Sequence, residues 1–184
     1  MELFKVTNED GASRNGGSDR WELNVWRQVG GDIVPCENGL HLCRRQDLTQ
    51  WLGPVIWRAE HDGELIELKD KVVVRRARVV ERLDTWNETA ARLFAADCAE
   101  HVLPIFGKVR PDDDRPRRAI EAARAFARGQ IGRDEMAAAW AAAWDAAWDA
   151  AWAAAWAAAR DAARDAEIKW QTDRLFDYIE GRAS

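Results

Sequence analysis

The stretch Lys71-Val-Val-Val-Arg-Arg-Ala-Arg-Val-Val-Glu-Arg-Leu83 runs directly into Asp84-Thr-Trp-Asn-Glu-Thr-Ala-Ala-Arg-Leu-Phe94, and this junction decides the fold. The first half is rich in β-branched residues and predicts a strand over 71–83. In the second half, Asp84 or Thr85 can cap a helix that carries Trp86, Ala90, Leu93 and Phe94 at the spacing of one buried face. The chain therefore changes from strand to helix near residue 84.

Working toward the N-terminus, Glu2 to Thr7 and Trp21 to Trp26 are strand candidates separated by a polar, Gly-rich loop over 8–19. Gly30-Gly31 and Glu37-Asn38-Gly39 flank another short strand. Gln46 to Leu52 can form about two helical turns, stopped by Gly53-Pro54. Val55 to Glu60 and Leu65 to Leu68 read as a hairpin that turns at His61-Asp62-Gly63. Toward the C-terminus, Pro104 is expected to end a helix over 85–103. A second helix over 114–128 stops at Gly129, and a third over 134–180 meets no Gly or Pro before Gly181. The expected fold class is α+β. A small mixed N-terminal sheet (1–83) packs on a C-terminal antiparallel helical assembly (84–184) with one very long Ala/Trp helix.

That last helix contains a tetrapeptide repeat over 137–166, in which Trp140, Trp144, Trp148, Trp152 and Trp156 hold one column that Arg160 and Arg164 continue. Alanine is the best helix former. A four-residue step advances 400°, so each Trp is turned about 40° from the last and the column spirals around the helix. Large rings in such number call for a cover: the chain's own core, a second copy, or a foreign protein. A twelve-base DNA expansion is a further account of the repeat's regularity.

Composition narrows the function classes. The 184 residues include 27 basic and 32 acidic side chains, a formal net charge of -5, which offers no broad positive field for nucleic acid. Three cysteines cannot form a fully paired disulfide set, and Met1-Glu-Leu-Phe-Lys-Val-Thr lacks the pattern of a signal peptide. Asp145 and Asp149 interrupt the apolar repeat, which argues against a membrane span. These features point to the cytoplasm, with no nucleic-acid or membrane partner.

Few residues suggest chemistry. Cys36, His41 and Cys43 bring thiols and an imidazole together, but their spacing matches no common zinc motif, so no metal is expected. Cys43 with His61, or Cys98 with His101, has the residue types of a nucleophile–base pair. Small core side chains are the plainer reading. Glu60, Asp62 and Glu64 read as a solvated tip, and Asp112 to Asp114 as helix-capping acids. Arg75, Arg76 and Arg78 suit either phosphate or nearby acids. No Walker, Rossmann or G-x-S-x-G motif is present, and no cofactor is implied.

Asp114-Arg-Pro-Arg-Arg-Ala-Ile-Glu121, followed by Ala-Arg-Ala-Phe-Ala-Arg-Gly129 and an Ala-rich helix, resembles the immunity-protein family of bacterial toxin systems. Members of that family open with D-x-R-P-R-x-A-I-E and carry histidines in the long helix, where this chain has tryptophans. Separately, Gly39-Leu-His-Leu-Cys43 is similar to the G-F-H-x-C element of an uncharacterised phage and bacterial domain family, which implies no activity. The resulting expectation is a non-enzymatic interaction protein, an immunity or phage–host conflict factor. It would bind a protein partner through Trp140, Trp144, Trp148, Trp152, Trp156, Arg160 and Arg164. One alternative is a ligand-binding or enzymatic module around His41, Cys43, Trp57, Arg75, Arg76 and Arg78. Another is a structural protein that self-associates through the Trp stripe.

Overall fold

A computed structural model of the chain describes residues 1–14, 20–139 and 161–183. It contains strands β1 (Leu3–Thr7), β2 (Arg27–Gln28), β3 (Leu40–Arg44), β4 (Val55–Glu67) and β5 (Val72–Arg82), with a 3-10 helix over Arg45–Gln50 between β3 and β4. Helices α1 (Glu88–Val109) and α2 (Arg115–Ala127) follow. Residues 133–139 are also helical (α3), and α4 spans Asp161–Ile179. The fold class is α+β, as the strand-to-helix switch requires. Contacts divide the chain into two compact units: Met1–Asn87 together with Ile168–Ser184, and Glu88–Glu167.

The first unit is organised by β5. Val72, Val73 and Val74 are fully buried, so this end of the strand is covered on both faces. One edge of β5 pairs antiparallel with β4, and the other pairs with β3 at Val72–Val74 and with β2 at Arg76–Ala77. β1 in turn pairs with both β3 and β4, so the ladder β5–β3–β1–β4 closes back on β5. Closure satisfies strand edges that would otherwise invite another chain. Leu3, Trp21, Leu42, Val72, Val74, Ala77 and Val79 form a shared apolar cluster inside.

Three expectations are corrected in this unit and the next. First, His61-Asp62-Gly63 does not turn the chain: β4 continues through it, with a register irregularity between Asp62 and Leu65 and Gly63 at φ 80°. The turn comes at 68–71, where Leu68 N–H donates to the Lys71 carbonyl. The acids at 60, 62 and 64 instead lie across from Arg78, Arg76 and Arg75, at 2.7–2.9 Å, which favours an extended pairing. Second, 21–26 is not a regular strand. Asn24 adopts φ 62° and donates its N–H to the Val79 carbonyl at 2.7 Å, which breaks the extended run after Trp21. Third, α1 continues through Pro104 to Val109. Proline removes only one intrahelical donor, and Arg110 N–H still closes onto the Phe106 carbonyl.

The C-terminal segment completes the first unit. Leu175, Phe176, Tyr178 and Ile179 are buried, and Phe176 meets Phe4 of β1 edge-to-face at 5.4 Å between ring centroids. The Arg45 guanidinium lies 3.6 Å from the Phe176 ring centroid and near Asp173 and Glu180. Thr85 donates its hydroxyl to the Ile179 carbonyl, and Gly181 follows at φ 69°.

In the second unit α1 and α2 pack antiparallel. Arg92 covers the Phe126 ring at 4.7 Å, while Arg124 reaches back to Asp97 and Glu100, both at 2.6 Å. His101 Nδ1 lies 2.8 Å from Glu167. Substituting Phe176→Ala should remove the contact that holds the C-terminal segment to β1, lowering the unfolding free energy by about 3–5 kcal/mol in urea titrations. A loss below about 1 kcal/mol would mean that this segment is not part of the sheet's core.

Candidate functional site

Inside the first unit lies a cavity of about 400 Å³ that includes Lys5, Arg14, Trp21, Arg27, Glu37, His41, Cys43, Trp51 and Lys71 in its lining. Its parts come from across the sheet unit. β1 supplies Lys5, whose neighbours Phe4 and Val6 are both buried. β3 supplies His41 and Cys43, two residues apart and so on one face of the strand. The loop after β1 supplies Arg14 and Trp21, and the end of the 3-10 helix with the β4–β5 turn supplies Trp51 and Lys71.

Both tryptophan walls are fixed by their indole N–H groups. Trp21 donates to Ser13 Oγ at 3.1 Å and Trp51 to the Asp70 carbonyl at 2.8 Å. A cation sits over each ring: Lys5 Nζ is 4.9 Å from the Trp21 centroid and Lys71 Nζ 4.7 Å from that of Trp51. Lys5 also donates to the His41 carbonyl at 3.2 Å. Cys36 N–H, at a residue with φ 68°, donates to His41 Nε2 at 3.4 Å, which puts the proton of the neutral imidazole on Nδ1.

Burial sets the protonation states. It pushes the Lys5 ammonium down from its ordinary 10.5 to about 8, with the Cys43 sulfur acting in the opposite direction. It pushes the Cys43 thiol up from 9.0 to about 12, reinforced by the Asp47 carboxylate. His41 is held below its usual range, first by burial and then by the charges of Lys71 and Lys5. Cys43 is thus a protonated thiol at neutral pH and a poor nucleophile. No group of three His, Cys, Asp or Glu side chains among the described residues is arranged to hold a metal ion.

Of the residues singled out from sequence, His41 and Cys43 line the cavity. Trp57 does not line it: its indole N–H donates to Thr7 Oγ1 at 3.0 Å, and Arg82 lies over its ring. Arg75, Arg76 and Arg78 are engaged with Glu64, Asp62 and Glu60, and the last two arginines also cover Trp26. His101 faces Glu167. Trp140, Trp144, Trp148, Trp152, Trp156 and Arg160 lie outside the described residues, and Arg164 is placed only as a backbone position of α4. Sequence reasoning missed Lys5, Trp21, Trp51 and Lys71. The available signal was Lys5 itself, a charge set between Phe4 and Val6 in a strand.

In the second unit, Val102 and Ile105 are 37% and 56% exposed, three residues apart on α1. Among the described residues no helix is long and apolar enough to cross a membrane. Residues 81–169 match the family model described as Imm-5 like putative immunity protein, a span that brackets the second unit. Neither the curated proteins nor the solved structures contain a match.

The buried lysine makes stability depend on pH. Between about pH 8 and 10.5 Lys5 binds fewer protons folded than unfolded, so its contribution to stability rises with pH. Between pH 9.0 and about 12 Cys43 binds more protons folded than unfolded, and its contribution falls. Lys5→Met removes the first effect and leaves the second. The unfolding free energy of the wild type minus that of Lys5→Met should therefore rise by on the order of 2 kcal/mol across the lysine window. A flat difference would show that Lys5 is solvated in the folded protein.

Proposed function

We propose that this chain is a non-enzymatic immunity protein that neutralises a protein toxin by binding it through the family-matched helical unit. The family match over 81–169 carries this reading, because it coincides with a unit that is compact by its own contacts. Immunity of this kind needs no catalytic group on the inhibitor. It needs a surface complementary to the toxin, and aromatic and arginine side chains dominate the energetics of such surfaces. The exposed Val102 and Ile105 on α1 add apolar area to the same unit.

Within that unit the contact residues we propose are Trp140, Trp144, Trp148, Trp152, Trp156, Arg160 and Arg164. The support is their sequence pattern: a helical column of large rings ending in two guanidinium groups, all inside the matched span. A stripe of this composition would also serve self-association, and the same experiment separates the two.

The test is growth of cells that produce a bacterial toxin captured on the full-length chain, with and without that chain. Co-production should restore growth, and Trp148→Ala with Trp152→Ala should reduce plating by at least about tenfold while the variant accumulates normally, as expected for loss of interface anchors. No rescue by the wild type would overturn the immunity reading. Rescue by wild type and variant alike would remove the stripe from the interface, and a variant that changes only the solution mass of the free protein would assign the stripe to self-association.

A further inference from the structure

The arginines of the sheet are matched to acids with regularity. Arg44 holds Asp47 and Glu67, Arg58 holds Glu2 and Glu81, and Arg75, Arg76, Arg78 and Arg82 each hold a carboxylate from a neighbouring position. The cavity departs from this rule. Among the described residues Lys5, Arg14 and Lys71 form no ion pair, and Glu37 is the sole carboxylate in the lining. The Asp70 and Asp47 carboxylates lie within electrostatic reach of His41 and Cys43, but neither lines the cavity. A fold that neutralises its outer arginines while gathering unmatched cations around one cavity is electrostatically incomplete there.

We infer that this cavity binds a small multiply charged anion, with Lys5, Arg14 and Lys71 supplying the counter-charge and Trp21 and Trp51 the walls. The volume falls within the range of small-molecule sites, and the walls are held rigid by the two indole hydrogen bonds. Lysine and arginine together donate to anionic oxygens from different directions, as a phosphate ester or a polycarboxylate presents them. An anion set against Lys5 would favour its charged form, so ligand binding would offset the cost of burying that lysine. The inference is independent of toxin binding, since every residue it uses belongs to the first unit.

The probes are inorganic pyrophosphate and citrate, titrated separately into the full-length chain by isothermal calorimetry at neutral pH and low salt. Saturable one-to-one binding of at least one probe is expected. Affinity should weaken at least about tenfold in Arg14→Ala and in Lys71→Ala, and recover largely in Lys71→Arg, as for a charge-assisted contact. Tighter binding of pyrophosphate assigns the site to phosphate esters, and tighter binding of citrate assigns it to polycarboxylates. Both lie within the inference. Lys71→Ala and Arg14→Ala are checked for unchanged thermal unfolding, and neither residue is in the apolar cluster. Saturable binding that both variants leave intact would place the anion elsewhere and overturn the inference. So would the absence of saturable binding of either probe at millimolar concentration.

Discussion

Phe176 stands edge-on to Phe4, with Arg45 over its other surroundings, and this contact makes the two ends of the chain share one core. β1 is only five residues long and buried throughout, so it depends on β3 and β4 at its edges and on Phe176 for cover. An aromatic pair of this kind adds to the area it buries. The consequence is topological: the unit formed by Glu88–Glu167 is an insertion between the last strand of the sheet unit and the helical segment that completes it. The family-matched span covers that insertion.

The arrangement separates two kinds of surface. In the sheet unit, acids and arginines answer one another across β4 and β5, pairings that are individually weak at an exposed surface but that fix register and blunt non-specific association. Lys5, Arg14 and Lys71, which form no ion pair among the described residues, gather at one cavity. In the inserted unit, Arg124 ties α1 to α2 through Asp97 and Glu100, while α1 leaves Val102 and Ile105 exposed. A partner-binding role suits such a unit, because loss or change of its surface does not touch the ladder that holds the sheet together.

The strand-to-helix switch near residue 84 was legible because period-2 and period-3.6 patterns differ sharply and Val72-Val-Val has no helical reading. The immunity-like resemblance was legible for a similar reason, resting on the run Asp114 to Glu121 that opens α2. The hairpin at His61 to Gly63 was misread because Asp-Gly is a turn signal in isolation. The acids around it find their partners only once β5 lies alongside, ten and more residues later in the chain. Pro104 was misread since a proline breaks a helix on average, and local exposure lets α1 continue. The attachment of α4 to β1 could not be read at all: periodicity reveals that Leu175, Phe176 and Ile179 share a face, not what that face meets. The cavity was half legible. His41 and Cys43 stood out as reactive residue types, whereas Lys5, Trp51 and Lys71 acquire meaning only when three distant stretches converge.

The central claim is that the inserted unit is the toxin-binding part of the chain, while the sheet unit is closed by its own C-terminal segment. Hydrogen–deuterium exchange of the full-length chain, free and bound to its toxin, tests this most directly, because it reads backbone protection in both units at once. The account predicts that new protection on binding falls within residues 88–167 and that the strands exchange alike in both states. New protection confined to β4, β5 or the cavity strands, with 88–167 unchanged, would contradict it.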